Sequence, residues 1–298
     1  MAKPEMAARP SIGIIGLGLV GSALAQRLAA GHEVLGFDPD PARAAMLDAL
    51  HPGSSRSSIE HLAADCDAVL IAVFDDEQLR AVAAGLVAAP ARRATLVICI
   101  TTALPATLIE VGGWCTSAGL AFVEAPISGS SAKIAAGEGR MFVAGATDHI
   151  ENAQALLGAI TAHRKGIGAL GQAAAAKLST NLVLGLNRLA LAEGMALAES
   201  LGIARARYLD LLLDSAATSR AAEEKGPLMV ADHFQPAVAT IAQHAKDVRL
   251  MLELGRQTGQ ALPMSQLHRN LLQQAIAGGD ADLDNAAVIR TLRALRAA

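Results

Sequence analysis

The stretch from Ser11 to Asp38 constrains this chain more than any other part of it. Ser11-Ile-Gly-Ile-Ile15 has the continuous apolar character of a short buried strand, and Leu19 to Ala30 reads as a helix. Between them lies Gly16-Leu-Gly18-Leu-Val-Gly21. Gly16 permits a tight turn, Gly18 lets the backbone approach a pyrophosphate, and Gly21 lets the helix pack against the strand. Leu19 and Val20 then carry the first amides of a helix whose N-terminus faces the phosphates. A second strand, Glu33 to Phe37, ends at Asp38, where a dinucleotide fold places the acid that accepts hydrogen bonds from the adenosine ribose. A carboxylate there repels a 2′-phosphate, and Pro39 stands where an arginine would bind one, so NAD is favoured over NADP. Arg43 is the nearby cation that weakens this preference. The same Asp38 is also compatible with a plain cap for a helix beginning at Ala42.

Alternation of strand and helix continues through Ala68–Val73, a helix near Glu77 to Ala88, Ala94–Ile100, a helix from Pro105 to Ala118 and the strand Ala121–Glu124. Such runs suit parallel strands covered on both faces, with ligands beyond their carboxyl ends. Val73, Phe74 and Thr102 therefore become candidates to flank the cofactor, whereas Asp75 and Asp76 read as helix caps. Ala125-Pro-Ile-Ser-Gly-Ser-Ser131 gathers Ser128, Gly129 and Ser130 into a loop rich in backbone N–H groups and hydroxyls, which suits a carboxylate and is equally compatible with an ordinary turn. A strand from Arg140 to Ala144 and a helix from Asp148 to Ile160 complete a first domain, residues 1–168. The glycine-rich segment Lys165 to Gly171 reads as the boundary.

Residues 169–298 show no strand pattern. Helices are expected near 172–200, 204–214, 219–231, 237–258, 264–277 and 284–297, punctuated at Gly202, Pro227, Pro236, Pro263 and Gly278-Gly279. The fold class is thus α/β, a Rossmann-type dinucleotide-binding domain followed by an all-α domain. The first of these helices is apolar on nearly every side yet carries Lys177, with Asn181 one turn further on the same face. A buried lysine needs a reason, and a catalytic role supplies one; snorkelling to water from the helix start is the alternative. The apolar surface also predicts cover by another subunit, in a homodimer or homotetramer.

Net charge is −3 and aromatic residues make up 2% of the 298 residues, which argues against a nucleic-acid partner. Cys66, Cys99 and Cys115 are widely spaced and read as reduced, buried thiols of a cytoplasmic protein with no metal site. Arg9 followed by an apolar run imitates a signal peptide, but three glycines interrupt that run, and no other stretch is apolar enough to span a membrane.

With IGIIGLGLVG near the start, the acid at Asp38, APISGS at 125–130, GQAAAAKLSTN at 171–181 and Lys246-Asp247, the chain resembles the β-hydroxyacid dehydrogenase family, which includes 3-hydroxyisobutyrate dehydrogenases and tartronate semialdehyde reductases. The likeness runs over nearly the whole chain. It implies that Ser128, Gly129 and Ser130 bind a substrate carboxylate, that Lys177 transfers a proton, that Asn181 holds substrate and that Lys246 reaches the nicotinamide side of the cofactor. It also implies a small hydroxyacid substrate. Ser130 stands where a second glycine is common, Glu124 where aspartate is common, Ala173 where glycine is common and Thr101-Thr102 in place of Ser-Thr. Two other classes remain open on the sequence: an NADPH-dependent aldehyde, ketone or imine reductase on the same scaffold, and a non-catalytic NAD-binding interaction module.

Overall fold

The computed structural model describes residues 10–295. The chain divides into two compact units, Met1–Lys177 and Leu178–Ala298. The first contains β1 (Ser11–Ile15), α1 (Leu19–Leu28), β2 (Glu33–Phe37), α2 (Pro41–Leu50), α3 (Ile59–Asp65), β3 (Ala68–Ile71), α4 (Asp76–Ala88), β4 (Leu96–Cys99), α5 (Pro105–Ser117), β5 (Ala121–Glu124), β6 (Ile127–Ser128), α6 (Ser131–Ala135), β7 (Arg140–Gly145), α7 (Thr147–Ile160) and β8 (Arg164–Gly168). Strands β2-β1-β3-β4-β5 run parallel in that order, and β7 then joins β5 antiparallel, with β6 and β8 paired to β7. The order reverses between β1 and β3, so the loops after these two strands diverge and leave a crevice at the carboxyl end of the sheet.

Alternation along the parallel strands divides the core. Ile12, Ile14, Leu70 and Ile98 face one layer, packed with α1 and α7. Ile15, Val69, Ile71 and Val97 face the other, packed with α3, α4 and α5. Each fully buried Ile or Leu contributes about 1.5–3 kcal/mol, which fixes the strand register and with it the ends of β1, β3 and β5.

Three boundaries differ from expectation. The segment at 165–171, read as the domain boundary, opens with a strand that was not expected, since β8 (Arg164–Gly168) pairs in parallel with β7. The short helix α3 carries no long periodic pattern; Ser58 caps it, and buried Leu62 and Ala63 hold it. Asp40 rather than Asp38 caps α2, accepting from the Ala42 amide.

The second unit is helical: the continuation of α8 (Gln172–Ser200), α9 (Arg205–Leu213), α10 (Arg220–Ala231), α11 (Ile241–Thr258), α12 (Pro263–Ala277), a 3₁₀ turn at Asn285–Ala287 and α13 (Val288–Ala294). Pro227 does not interrupt as expected but sits inside α10. Capping by Ser219 and burial of Ala222, Gly226 and Met229 outweigh the one backbone bond that proline removes. The fourth helix starts at Ile241 rather than 237, because Thr240 and Gln243 form a capping box there. The last expected helix opens as the 3₁₀ turn, and its end at 296–297 lies outside the described residues. Among the described residues no helix is long and apolar enough to cross a membrane.

Candidate active site

Gly16 has φ +90°, and a Cβ there would stand 2.5 Å from the Ala72 carbonyl oxygen. At Gly21 a Cβ would stand 1.8 Å from the carbonyl oxygen of Gly16. These two glycines are demanded by the chain's own packing. Gly18 is different: a Cβ would meet nothing closer than the Arg43 guanidinium at 3.8 Å. Space left open at Gly18, together with a helix α1 whose N-cap supplies no side-chain hydrogen bond, is what a pyrophosphate requires. Leu19 and Val20 open that helix, with Leu19 partly exposed. The residues present fit a dinucleotide.

Asp38 is nearly buried and heavily engaged. Its Oδ2 accepts from the Leu17 amide at 2.7 Å and lies 3.4 Å from Arg43, while Oδ1 accepts from the Asp40 amide at 2.9 Å. The carboxylate therefore ties β2 to the glycine turn, and its remaining lone pairs are what a ribose would use. A cavity of about 630 Å³ opens beside it, lined by Phe37, Asp38, Pro39, Pro41, Ser55 and Arg56 among others.

Beyond β3, the Val73 amide donates to Thr101 Oγ1 at 3.0 Å, and Thr101 is buried. This threonine braces the loop, leaving Phe74, 44% exposed, and half-buried Thr102 as the accessible pair. Asp75 caps α4 through the Gln78 amide, as expected, whereas Asp76 does not cap it but accepts from the Leu104 amide and ties down the loop after β4.

The serine loop and the lysine come together within the first unit. Lys177 is 7% exposed, and its Nζ donates to the carbonyl oxygen of Ile127 at 2.6 Å, one residue before Ser128. Gly129 follows at φ +136°, a conformation glycine adopts without strain. The Ser130 hydroxyl accepts from the Lys133 amide at 3.2 Å as the N-cap of α6. Lys177 is thus bonded to the chain immediately before Ser128 and Gly129, and Ser130 shares its oxygen with a structural bond.

Glu124, at the end of β5, is fully buried and has a role that its sequence position did not reveal. One carboxylate oxygen accepts from the Gly171 amide at 2.6 Å and the other from the Ala174 amide, so it caps the helix that carries Lys177. Burial pushes its pKa up to about 6, against the pull of those amides. The signal lay in an acid closing an otherwise apolar strand, since a buried carboxylate must find donors.

Asn181 lies one turn beyond Lys177 on α8. Within the helical unit its Nδ2 donates to Asp247 Oδ2 at 3.4 Å, and Asp247 Oδ1 stands 3.1 Å from Lys246 Nζ. The Lys246-Asp247 pair, which alone reads as a solvated charge pair, is half-buried and orders the asparagine.

A glycine turn at the sheet's switch point, a carboxylate closing β2 and a buried lysine against a serine loop define an NAD(P)-dependent dehydrogenase. The comparisons agree over nearly the whole chain. Residues 11–177 match the family described as the NAD binding domain of 6-phosphogluconate dehydrogenase, and 171–292 match the NAD-binding region of NADP-dependent 3-hydroxyisobutyrate dehydrogenase. A probable 3-hydroxyisobutyrate dehydrogenase of Mycobacterium bovis is 31% identical over 95% of this chain and 98% of its own length. The L-threonate dehydrogenase of Cupriavidus necator is 30% identical over 94% and 95%. The solved 3-hydroxyisobutyrate dehydrogenase of Mycobacterium tuberculosis, determined with L-serine, superposes with a TM-score of 0.84 at 30% identity, covering 95% of this chain and 99% of that one. The chain belongs to the β-hydroxyacid dehydrogenase family.

Proposed function

We propose that the protein reversibly oxidises a small β-hydroxyacid of the 3-hydroxyisobutyrate, glycerate or threonate class to its semialdehyde or keto acid, with Lys177 as general acid/base. The observation that carries this reading is the 2.6 Å bond from Lys177 Nζ to the Ile127 carbonyl, which holds the amine beside Ser128. Ser128 and Gly129, with Ser130 contributing backbone, bind the substrate carboxylate. Asn181, held by Asp247, orients the hydroxyl toward Lys177. In the oxidative direction the lysine amine takes the hydroxyl proton; in the reductive direction the ammonium returns it. A nicotinamide, when bound, supplies the acceptor or donor of hydride. Gly16, Gly18, Leu19, Val20, Gly21, Asp38, Val73, Phe74 and Thr102 hold the coenzyme, with Lys246 on its nicotinamide side. In functional terms 1–168 is the coenzyme domain, to which the serine loop adds the carboxylate cradle, and 169–298 is the substrate and oligomerisation domain, to which Lys246 adds a coenzyme contact.

NAD is the preferred coenzyme because Asp38 stands at the ribose position. Arg43, half-exposed and 3.4 Å from that carboxylate, offsets part of its charge, so NADP is bound more weakly rather than refused. The exposed apolar side chains Val183, Leu197 and Leu201 on and just past α8 support a homo-oligomer, and three buried reduced thiols suit the cytoplasm. Burial raises the Cys66 and Cys115 thiols to about 11, which keeps them unreactive.

The test is a screen of C3 and C4 hydroxyacids with both coenzymes, following reduction at 340 nm. Turnover of β-hydroxyacids with NAD above NADP is expected. Activity confined to NADPH with ketones or imines contradicts the substrate class, and coenzyme binding without any turnover favours an interaction module.

A further inference from the structure

A second cluster of buried polar groups lies wholly in the helical unit and has no part in the proposed reaction. Arg188, on α8, is 4% exposed, and its Nη2 has no hydrogen-bond partner among the described residues. One turn earlier, Gly185 bares the helix backbone to two rings. A Cβ there would stand 2.7 Å from His244 Nε2 and Cε1 and 3.2 Å from His268 Cε1. The two rings, from α11 and α12, lie 4.9 Å apart, and both Nε2 atoms are buried without a partner. Two carboxylates act on Arg188 from a distance, Asp284 and Asp247. Both are already engaged. Asp284 takes both oxygens to Lys225 Nζ at 2.8 Å and accepts the Val238 and Ala286 amides. Asp247 holds Lys246 and Asn181.

Pairing Lys225 with Asp284 and Lys246 with Asp247 leaves one positive charge, that of Arg188. The histidines add none, since burial and the neighbouring guanidinium hold both below their ordinary range. Ordered water can satisfy a lone N–H, but it does not neutralise a buried guanidinium. The unpartnered nitrogens and the excess charge call for the same occupant.

We propose that Arg188, with the Nε2 edges of His244 and His268, forms a buried site for a small monoanion of halide or carboxylate size. One uncompensated charge sets the valence. The close approach of both rings to Gly185 limits the size. A neutral histidine with its proton on Nε2 donates there, and the guanidinium supplies charge-assisted bonds. The inference does not depend on the reaction proposed above, because its test reads stability and scattering rather than turnover.

The experiment is thermal unfolding of the full chain in sodium chloride, with sodium camphorsulfonate, which is neither a carboxylate nor a hydroxyacid, holding ionic strength constant as a bulky control anion. A saturable rise in Tm of about 2–4 °C is expected for the wild type. Arg188→Met should lose the chloride response and, in the control salt, be at least as stable as the wild type. Arg188→Lys should keep a weaker response. Acetate titrated in place of chloride separates the sources: saturation at lower concentration than chloride identifies a carboxylate as the preferred occupant. Equal chloride responses in wild type and Arg188→Met overturn the proposal. Should that variant fail to fold, bromide-soaked wild-type crystals decide the matter: an anomalous peak at the guanidinium supports the site, and none at saturating bromide rejects it.

Discussion

Glu124 in the sheet unit and Arg188 in the helical unit are both buried charges, yet Glu124 accepts from backbone amides on both oxygens while the Nη2 of Arg188 donates to nothing in the described chain. The sheet unit spends its buried polar groups on fixing geometry. Asp38 ties the glycine turn to β2, Thr101 braces the loop after β3, and Glu124 anchors the start of α8. The helical unit leaves His244 Nε2, His268 Nε2 and Asn285 Oδ1 without a partner as well, against one such atom, His32 Nδ1, among the described residues of the sheet unit. The contrast teaches that satisfied buried groups mark where the fold holds a site rigid, and that a cluster of orphaned ones around a charge marks where something outside the chain can complete it.

The sharpest way to break the comparison is at Gly21. A Cβ 1.8 Å from the Gly16 oxygen forces the turn apart, so Gly21→Val should cost about 3 kcal/mol or more and abolish coenzyme binding, read by denaturant unfolding and calorimetry. Near-normal affinity would show that the turn is not the coenzyme cradle.

Acidification acts on the two units with opposite sign. His268 is held down to about 4 and His244 well below its usual value, so the unfolded chain binds more protons below pH 6.5 and stability falls as pH drops. For His268 alone the loss approaches about 3 kcal/mol once pH reaches 4. Glu124, raised to about 6, favours the folded state as pH falls from 6 toward 4.5, by about 2 kcal/mol. Histidines outweigh the glutamate, so unfolding midpoints should fall between pH 7 and 4.5. His268→Asn should flatten that decline. A stability that rises on acidification would mean the rings are not buried as described.

A smaller effect is expected at Glu124→Gln. The amide replaces one acceptor with a donor facing a backbone N–H, costing about 1–3 kcal/mol. Because the mispaired end of α8 carries Lys177, kcat should fall with KM little changed, and Glu124→Asp should restore part of it. Smallest is Arg43→Ala, which should weaken NADP binding about tenfold and NAD binding less, by fluorescence titration. Equal loss for both coenzymes would remove Arg43 from the discrimination.

Much of the sheet unit was legible in the sequence, because apolar runs and glycine spacing are local signals. Gly16, Gly21 and the carboxylate after β2 follow from spacing alone. So does the turn-to-turn placement of Lys177 and Asn181 on one helix. What was not legible depends on partners far along the chain. The cap of α8 by Glu124 spans 47 residues to Gly171, and the Asn181–Asp247 bond spans 66. Strand β8 was missed because Arg164–Gly168 has too few apolar residues to signal a strand, and pairing with β7 supplies what composition lacks. Pro227 misled for the converse reason, since packing overrode a local breaker.

The central claim is that the amine beside the serine loop moves the proton, and Lys177→Ala tests it most directly with coenzyme affinity measured alongside turnover. The account predicts NAD affinity within about twofold of wild type and hydroxyacid oxidation reduced about 10³-fold or more. Turnover near the wild-type rate, with affinity intact, would contradict it.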